Sequence, residues 1–313
     1  DPNTYADPEL EAEARSSIGS RLKSLLVLLV PPTLEEKVIK GYPMPLALAY
    51  QRFLHARFNI FEQVRRLIDL SEAICFFTYN IVLADVLRQP MYIGDKGARR
   101  AFNGYSMSAR MDFVGAVQKL VKQPLVHRLF VPELVDAFDC EAAKYIQDQL
   151  RNRSYHTATL PESQQRNLLN EFQPRVEKLM ADLEFLQQYT LARIPHLYVR
   201  NGVLHSRIEV YNGVNPSVDE RPVSEISSYA QIDSDHLALL HDDNVMNLFP
   251  LFQLITSAET HYESHICFLK QRKQQEQRLE GESVHGAFIL ELDGFDQFER
   301  LQLNLVNTPL SGK

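Results

Sequence analysis

Cysteine is scarce in this 313-residue chain: Cys75, Cys140 and Cys267 are scattered, odd in number and set in apolar or helical surroundings. No two form a CxxC pair, which argues against a thiolate zinc site. The three read as reduced, buried thiols of a cytoplasmic protein. Long apolar runs are also missing. The longest, Leu25 to Val30, falls far short of the roughly 20 residues of a membrane helix and lacks the layout of a signal peptide. No membrane partner is expected. Gly94-Asp95-Lys96-Gly97 lacks the GxxxxGK[ST] spacing of a phosphate loop. There is no internal repeat and no low-complexity tract, and the chain opens on Asp1, as a piece of a longer polypeptide would.

Positive charge is what the C-terminal part lacks. Residues 1–190 carry 23 Lys/Arg and 23 Asp/Glu, whereas residues 191–313 carry 10 and 17, so the whole net charge of −7 lies there. Within the first part, Lys96, Arg99, Arg100, Arg110, Lys119, Lys122 and Arg128 face only Asp95 and Asp112. A polyanion would be met in that segment, and Phe102, Tyr105 and Phe113 are interleaved there as possible stacking or core residues.

The first 190 residues read as successive helices. Asp7 caps one that stops at Pro31-Pro32, and another follows Pro45. A long apolar helix runs from about Asn59 to Leu87; Ile74, Phe76, Phe77, Tyr79, Ile81 and Val82 leave it little polar face, so it should be the most buried. Residues 90–106, with three glycines, read as a loop, and a helix covers about Ser108 to Lys122. Pro132 opens the next helix, whose face Val135, Phe138, Ala142, Tyr145 and Gln149 runs out at Leu150. Thr159-Leu160-Pro161-Glu162 looks like a capping box for a final helix to about Tyr189, kinked or divided at Pro174.

After Ile194-Pro195 the pattern changes. His196 to Tyr211 alternates around Asn201-Gly202, a hairpin signal. Strands are expected near 236–241, 287–292 and 301–306, with a helix from roughly Thr256 to Arg278. The fold class is α+β: an N-terminal helix and linker (1–39), an all-α bundle (40–192) and a small mixed domain (193–313). On the expected helix His261 and His265 stand at i and i+4, but Tyr262 occupies the place of a zincin glutamate; the pair reads as a polar face. Neither metal nor cofactor is expected.

The stretch with most chemistry is Arg151-Asn152-Arg153-Ser154-Tyr155-His156, at the end of one helix and just before another. An arginine can hold a phosphate in a bidentate fork, and a histidine titrates near neutral pH, so the pair can cleave a phosphodiester without metal. The bare pattern of arginine, four to six residues, histidine occurs about twice by chance in such a composition. It occurs three times, at Arg151/His156, Arg200/His205 and Arg278/His285. Only the first lies between two long amphipathic helices; the second spans the Asn-Gly turn.

In that setting the chain resembles the HEPN superfamily, compact helical domains with an Arg-x4–6-His motif between their last two long helices. The polar Asn152 after the arginine, the stretch from Tyr42 to Tyr50 and the long helix from Asn59 add to the likeness, which covers roughly residues 40–192. The resemblance implies a metal-independent endoribonuclease, dimeric, in a bacterial defence or stress system. By it, His156 would act as acid or base at the ribose 2′-hydroxyl or the leaving oxygen, Arg151 would hold the phosphate, and Asn152 would orient one of them. A second copy would supply the other histidine across a two-fold axis. Lys96, Arg99, Arg100 and Arg110 would bind RNA. The tyrosine that many HEPN toxins carry two residues after the histidine is Ala158 here. A non-catalytic module that dimerises or docks a partner protein is the rival reading, favoured by the neutral helical part and the acidic C-terminal one.

Overall fold

The structure is a computed structural model, and it describes residues 31–88, 106–122, 129–154, 160–222, 233–234, 236–256, 264–284 and 289–307. Residues Asp1–Lys37 and Val38–Lys313 form two compact units. In the first, Thr33 and Glu36 make a capping box: Glu36 N donates to Thr33 Oγ1 at 3.2 Å, and Thr33 N to Glu36 Oε2 at 3.0 Å. The helix expected from Asp7 to Pro31 and the loop 90–106 lie outside the described residues.

The helices are α1 (Leu34–Gly41), α2 (Met44–His55), α3 (Ile60–Arg88), α4 (Met107–Val121), α5 (Leu134–Ala137), α6 (Cys140–Ser154), α7 (Glu162–Asp182) and α8 (Phe295–Asn307). Asn59 starts α3 as expected, its Oδ1 accepting from Phe61 N at 3.1 Å and Glu62 N at 3.2 Å. From Ile74 to Val86 every residue of α3 is buried, which is why it is apolar enough to pass for a membrane span. Within the fold, 78% of its most apolar window is buried, so its partners are other elements of this chain. It packs on α2, α4, α6, α7 and a strand of the C-terminal half.

Two antiparallel sheets follow. The first has the order β3-β2-β1-β4-β5, with β1 Thr190–Arg200, β2 Val203–Val210, β3 Ser217–Pro222, β4 Leu237–His241 and β5 Asn244–Asn247. The second is β6 (Phe252–Thr256), β7 (Ser264–Lys273), β8 (Arg278–Ser283) and β9 (Ile289–Leu292) in sequence order. The α+β class holds. The Asn201-Gly202 turn is present, with φ of 52° and 78° at its two central residues, and it pairs Arg200 with Val203.

Helices and the second sheet share buried contacts, while strands β1, β2 and β4 of the first sheet bury a cluster of their own (Ala192, Ile194, Ile208, Ala238, Leu240); all lie in the compact unit from Val38 onward. Phe77 of α3 meets Phe252 of β6 edge to face at 5.7 Å, and Phe76 meets Phe268 of β7 at 5.0 Å. Asn212, just after β2, ties the end of α1 to the start of β1: its Nδ2 donates to Gly41 O at 3.0 Å and Tyr189 O at 2.8 Å. Its Oδ1 accepts from Leu191 N at 2.8 Å. The next residue must be glycine. Gly213 has φ 72°, and a Cβ there would lie 2.7 Å from Ile39 O.

Four local expectations are corrected. Over 264–278 the helix expected across 256–278 is instead β7 and the start of β8 joined by a 3₁₀ turn, and 257–263 lie outside the described residues. His265 to Leu269 are buried without a break, so β7 shows no alternation of apolar and polar residues and imitates a helix segment. The expected strand 301–306 lies in α8, which starts after Gly294 with Phe298 N donating to Gly294 O at 2.9 Å. The helix opened by Pro132 breaks at Phe138-Asp139. There Gln118 Nε2 takes the carbonyls of Leu134 at 2.7 Å and Phe138 at 2.8 Å, and Asp139 Oδ1 recaps α6 at Ala142 N at 2.9 Å. The break rephases the helix, so Ala143, Ile146, Gln147 and Leu150 are buried and Tyr145 is exposed. Finally, α7 begins with Pro161 at its N-cap and no side-chain cap, in place of a capping box, and it runs through Pro174 undivided.

Candidate functional site at the end of α6

The last turn of α6 presents Arg151, Asn152 and Arg153, all exposed, directly before the segment that leads into α7. Cations here oppose the negative end of the helix dipole, which lets α6 end on two arginines at little cost. They diverge to different neighbours. Arg151 Nη1 lies 3.8 Å from Glu72 Oε1 on α3, with the arginine side chain 56% exposed. Arg153 Nη1 bonds Glu171 Oε2 on α7 at 2.8 Å, and its guanidinium lies 5.8 Å from the Phe172 ring centroid. Beside Arg153 a depression of about 300 Å³ runs over Leu160, Gln164, Asn167, Leu168 and Glu171. His156 lies outside the described residues.

Glu72 has its carboxyl pushed above the usual range, first by burial and only partly restored by Arg151. It also lines a second hollow, a cleft of about 260 Å³ between α2, α3 and the sheet of β7 and β8. That cleft carries Arg52, Arg65, Arg66, Asp69, Glu282 and Ser283, with Ala49, Ala73, Phe76, Phe268 and Val284 as apolar wall. Sequence reading missed it. The signal was present in α3, whose first turns set Arg65, Arg66, Asp69 and Glu72 at helical spacing on an otherwise apolar helix.

Of the four residues expected to bind RNA, Lys96, Arg99 and Arg100 lie outside the described residues, and Arg110 is corrected. Arg110 is only 3% exposed on α4. Its guanidinium lies over Phe76 at 4.2 Å and Tyr79 at 5.2 Å and donates to the Lys270 carbonyl of β7. It binds the helices to the sheet and offers no surface to a phosphate. Phe113 is likewise core.

The other patterns take no part. Arg200 and His205 are strand residues across the turn, and His205 stacks on Tyr198 at 5.7 Å. His265 lies on β7, where its Nδ1 is 2.9 Å from Ser283 Oγ, so no helical histidine pair forms. Among the described residues no group of three or more His, Cys, Asp or Glu side chains is placed to hold a metal. All three cysteines are free and buried, and burial raises their thiols, to about 12 for Cys140 and Cys267, which makes them poor nucleophiles.

No family model, no curated protein and no solved structure matches this chain.

Proposed function

We propose that this protein acts on RNA in the manner of HEPN-like domains, as a metal-independent endoribonuclease or as an RNA-binding relative of one. One observation carries the reading: Arg151 and Asn152 stand exposed on the last turn of α6, just ahead of the closing helix α7. An arginine at such a junction can receive a phosphate without disturbing the core. In the proposed step His156 takes the proton of a ribose 2′-hydroxyl, that oxygen bonds to phosphorus, and the 5′-oxygen leaves with a proton from a second copy's histidine. Arg151 balances the charge on the phosphoryl oxygens. The dimer and a bacterial defence or stress role come with the resemblance, and the cytoplasmic setting with the unpaired cysteine pattern.

The test is cleavage of single-stranded RNA in EDTA by wild type, His156→Ala and Arg151→Ala. Loss of about 10²-fold or more in the histidine variant, at an unchanged melting temperature, is the expected result. Equal nicking by wild type and both variants rejects catalysis here.

Glu72 makes a further prediction. It competes with RNA for Arg151, so Glu72→Gln should tighten RNA binding by a few-fold, in keeping with the modest strength of partly exposed ion pairs. The raised carboxyl also protonates earlier than an ordinary glutamate as pH falls, which weakens its hold on Arg151. Wild-type affinity should therefore rise on mild acidification while that of Glu72→Gln stays flatter, as filter binding across pH would show.

The rival reading is a non-catalytic scaffold or regulator that docks a partner protein. The burial of Arg110 favours it, because it removes one cation from the surface an RNA would need.

A further inference from the structure

We propose that the cleft between α2, α3 and the second sheet is a binding site for a small phosphorylated ligand, held by Arg52 and Arg65.

The reasoning is an account of charge around the lining. Its three carboxylates already have cations. Asp69 Oδ2 bonds Arg66 Nη1 at 2.9 Å, Glu282 Oε2 bonds Lys270 Nζ at 2.7 Å, and Glu72 Oε1 faces Arg151 Nη1 at 3.8 Å. Arg66 is spent twice over, since its Nη2 also reaches Glu62 at 2.7 Å. Arg52 and Arg65 are different. They line the same cleft, Arg52 half-buried and Arg65 exposed; among the described residues neither makes an ion pair or a side-chain hydrogen bond, and Asp69 acts on both only as a longer-range charge. Two guanidiniums with unused donors match a phosphoryl dianion in charge, and each can offer a fork of parallel N–H bonds.

Two further features fit that occupant. Burial, and next the nearby Arg66, lower the pKa of Arg52 and are only partly offset by Asp69; a further anion in the cleft would favour its charged form. The apolar part of the lining, with Ala49, Ala73 and Val284, gives a surface for the body of a phosphomonoester. A volume of about 260 Å³ suits a metabolite-sized molecule rather than a nucleic-acid strand. The site needs neither His156 nor cleavage, and it touches the RNA reading only through the Glu72–Arg151 pair.

The experiment is calorimetric titration of the full chain with inorganic phosphate, phenyl phosphate and acetate at constant ionic strength. It is repeated on Arg52→Gln, Arg65→Gln and the control Arg166→Gln, an exposed residue of α7 paired with Glu162. Binding of the phosphates but not acetate, weakened at least tenfold in each of the first two variants and unchanged in the control, supports the site. Tighter binding of phenyl phosphate assigns an organic phosphomonoester; equal binding assigns free phosphate. No heat with either phosphate, equal binding of acetate, or affinity indifferent to both arginines overturns it. Thermal melts of each variant ensure that lost binding is not lost folding.

Discussion

Phe77→Ala should lower the stability of the Val38–Lys313 unit by about 3–5 kcal/mol, the usual cost of emptying a buried aromatic site. Phe77 is 1% exposed on the central helix, and its ring stands edge to face with the fully buried Phe252 of β6. The substitution therefore opens a void at the seam between helices and sheet, where neighbouring side chains on both sides are already fixed by packing. A fall of roughly 10 °C in melting temperature follows for a unit of this size. The form of the transition matters as much as its position. Because both halves share the Phe77–Phe252 and Phe76–Phe268 contacts, helical and sheet structure should be lost together in one cooperative step. The chain contains no tryptophan, so circular dichroism at a helical and a sheet wavelength, combined with calorimetry, is the suitable readout. Two separated transitions, with the helical signal unaffected by the substitution, would restore residues 40–192 as a domain in its own right.

Arg110 supplies the second large effect, and here the choice of replacement decides the sign. Alanine removes a stem packed in the core, two ring contacts and a donor to the Lys270 carbonyl, and should cost about 3 kcal/mol. Methionine refills the space and keeps a favourable contact with Phe76 and Tyr79. It also removes a cation that burial already disfavours, whose Nε and Nη1 have no hydrogen-bond acceptor. That relief offsets the lost hydrogen bond, so Arg110→Met should lie within about 1 kcal/mol of wild type. Neither variant should alter RNA binding beyond its effect on folding. Weaker RNA binding by a fully folded Arg110→Met protein would return this residue to the surface role expected from the charge pattern.

The contrast between these residues shows why sequence reading succeeded in some places and not in others. The start of α3 near Asn59 was legible from its apolar residues, and the structure adds that Asn59 caps the backbone amides two and three residues on. The Asn201-Gly202 turn was equally local, its positive φ values being a property of those two residues. The reading of β7 failed because a strand buried on both faces loses its alternation, and His265 to Leu269 then resemble one side of a helix. Gln118 broke the helix after Pro132 from a distance of 16 and 20 residues, a partner no local pattern could name. At the candidate site, Arg151 and Asn152 were legible as the C-terminal turn of a helix, although the face that helix buries is not the one the spacing suggested. The Arg52–Arg65 cleft was not, since one wall comes from α2 and α3 and the other from strands some 200 residues later.

Composition, turns and apolar periodicity thus determined by themselves the α+β class, the helical first half, the buried central helix and the arginine turn at the end of α6. Each depends on interactions within a few residues, where chain connectivity already holds the partners together. Tertiary structure alone decided that Arg110 is a core residue, that sheets and helices form one unit, and which arginines line a cavity without an ion pair among the described residues. Those outcomes depend on desolvation and on ion pairing between distant segments, and both come into being only when the surfaces meet.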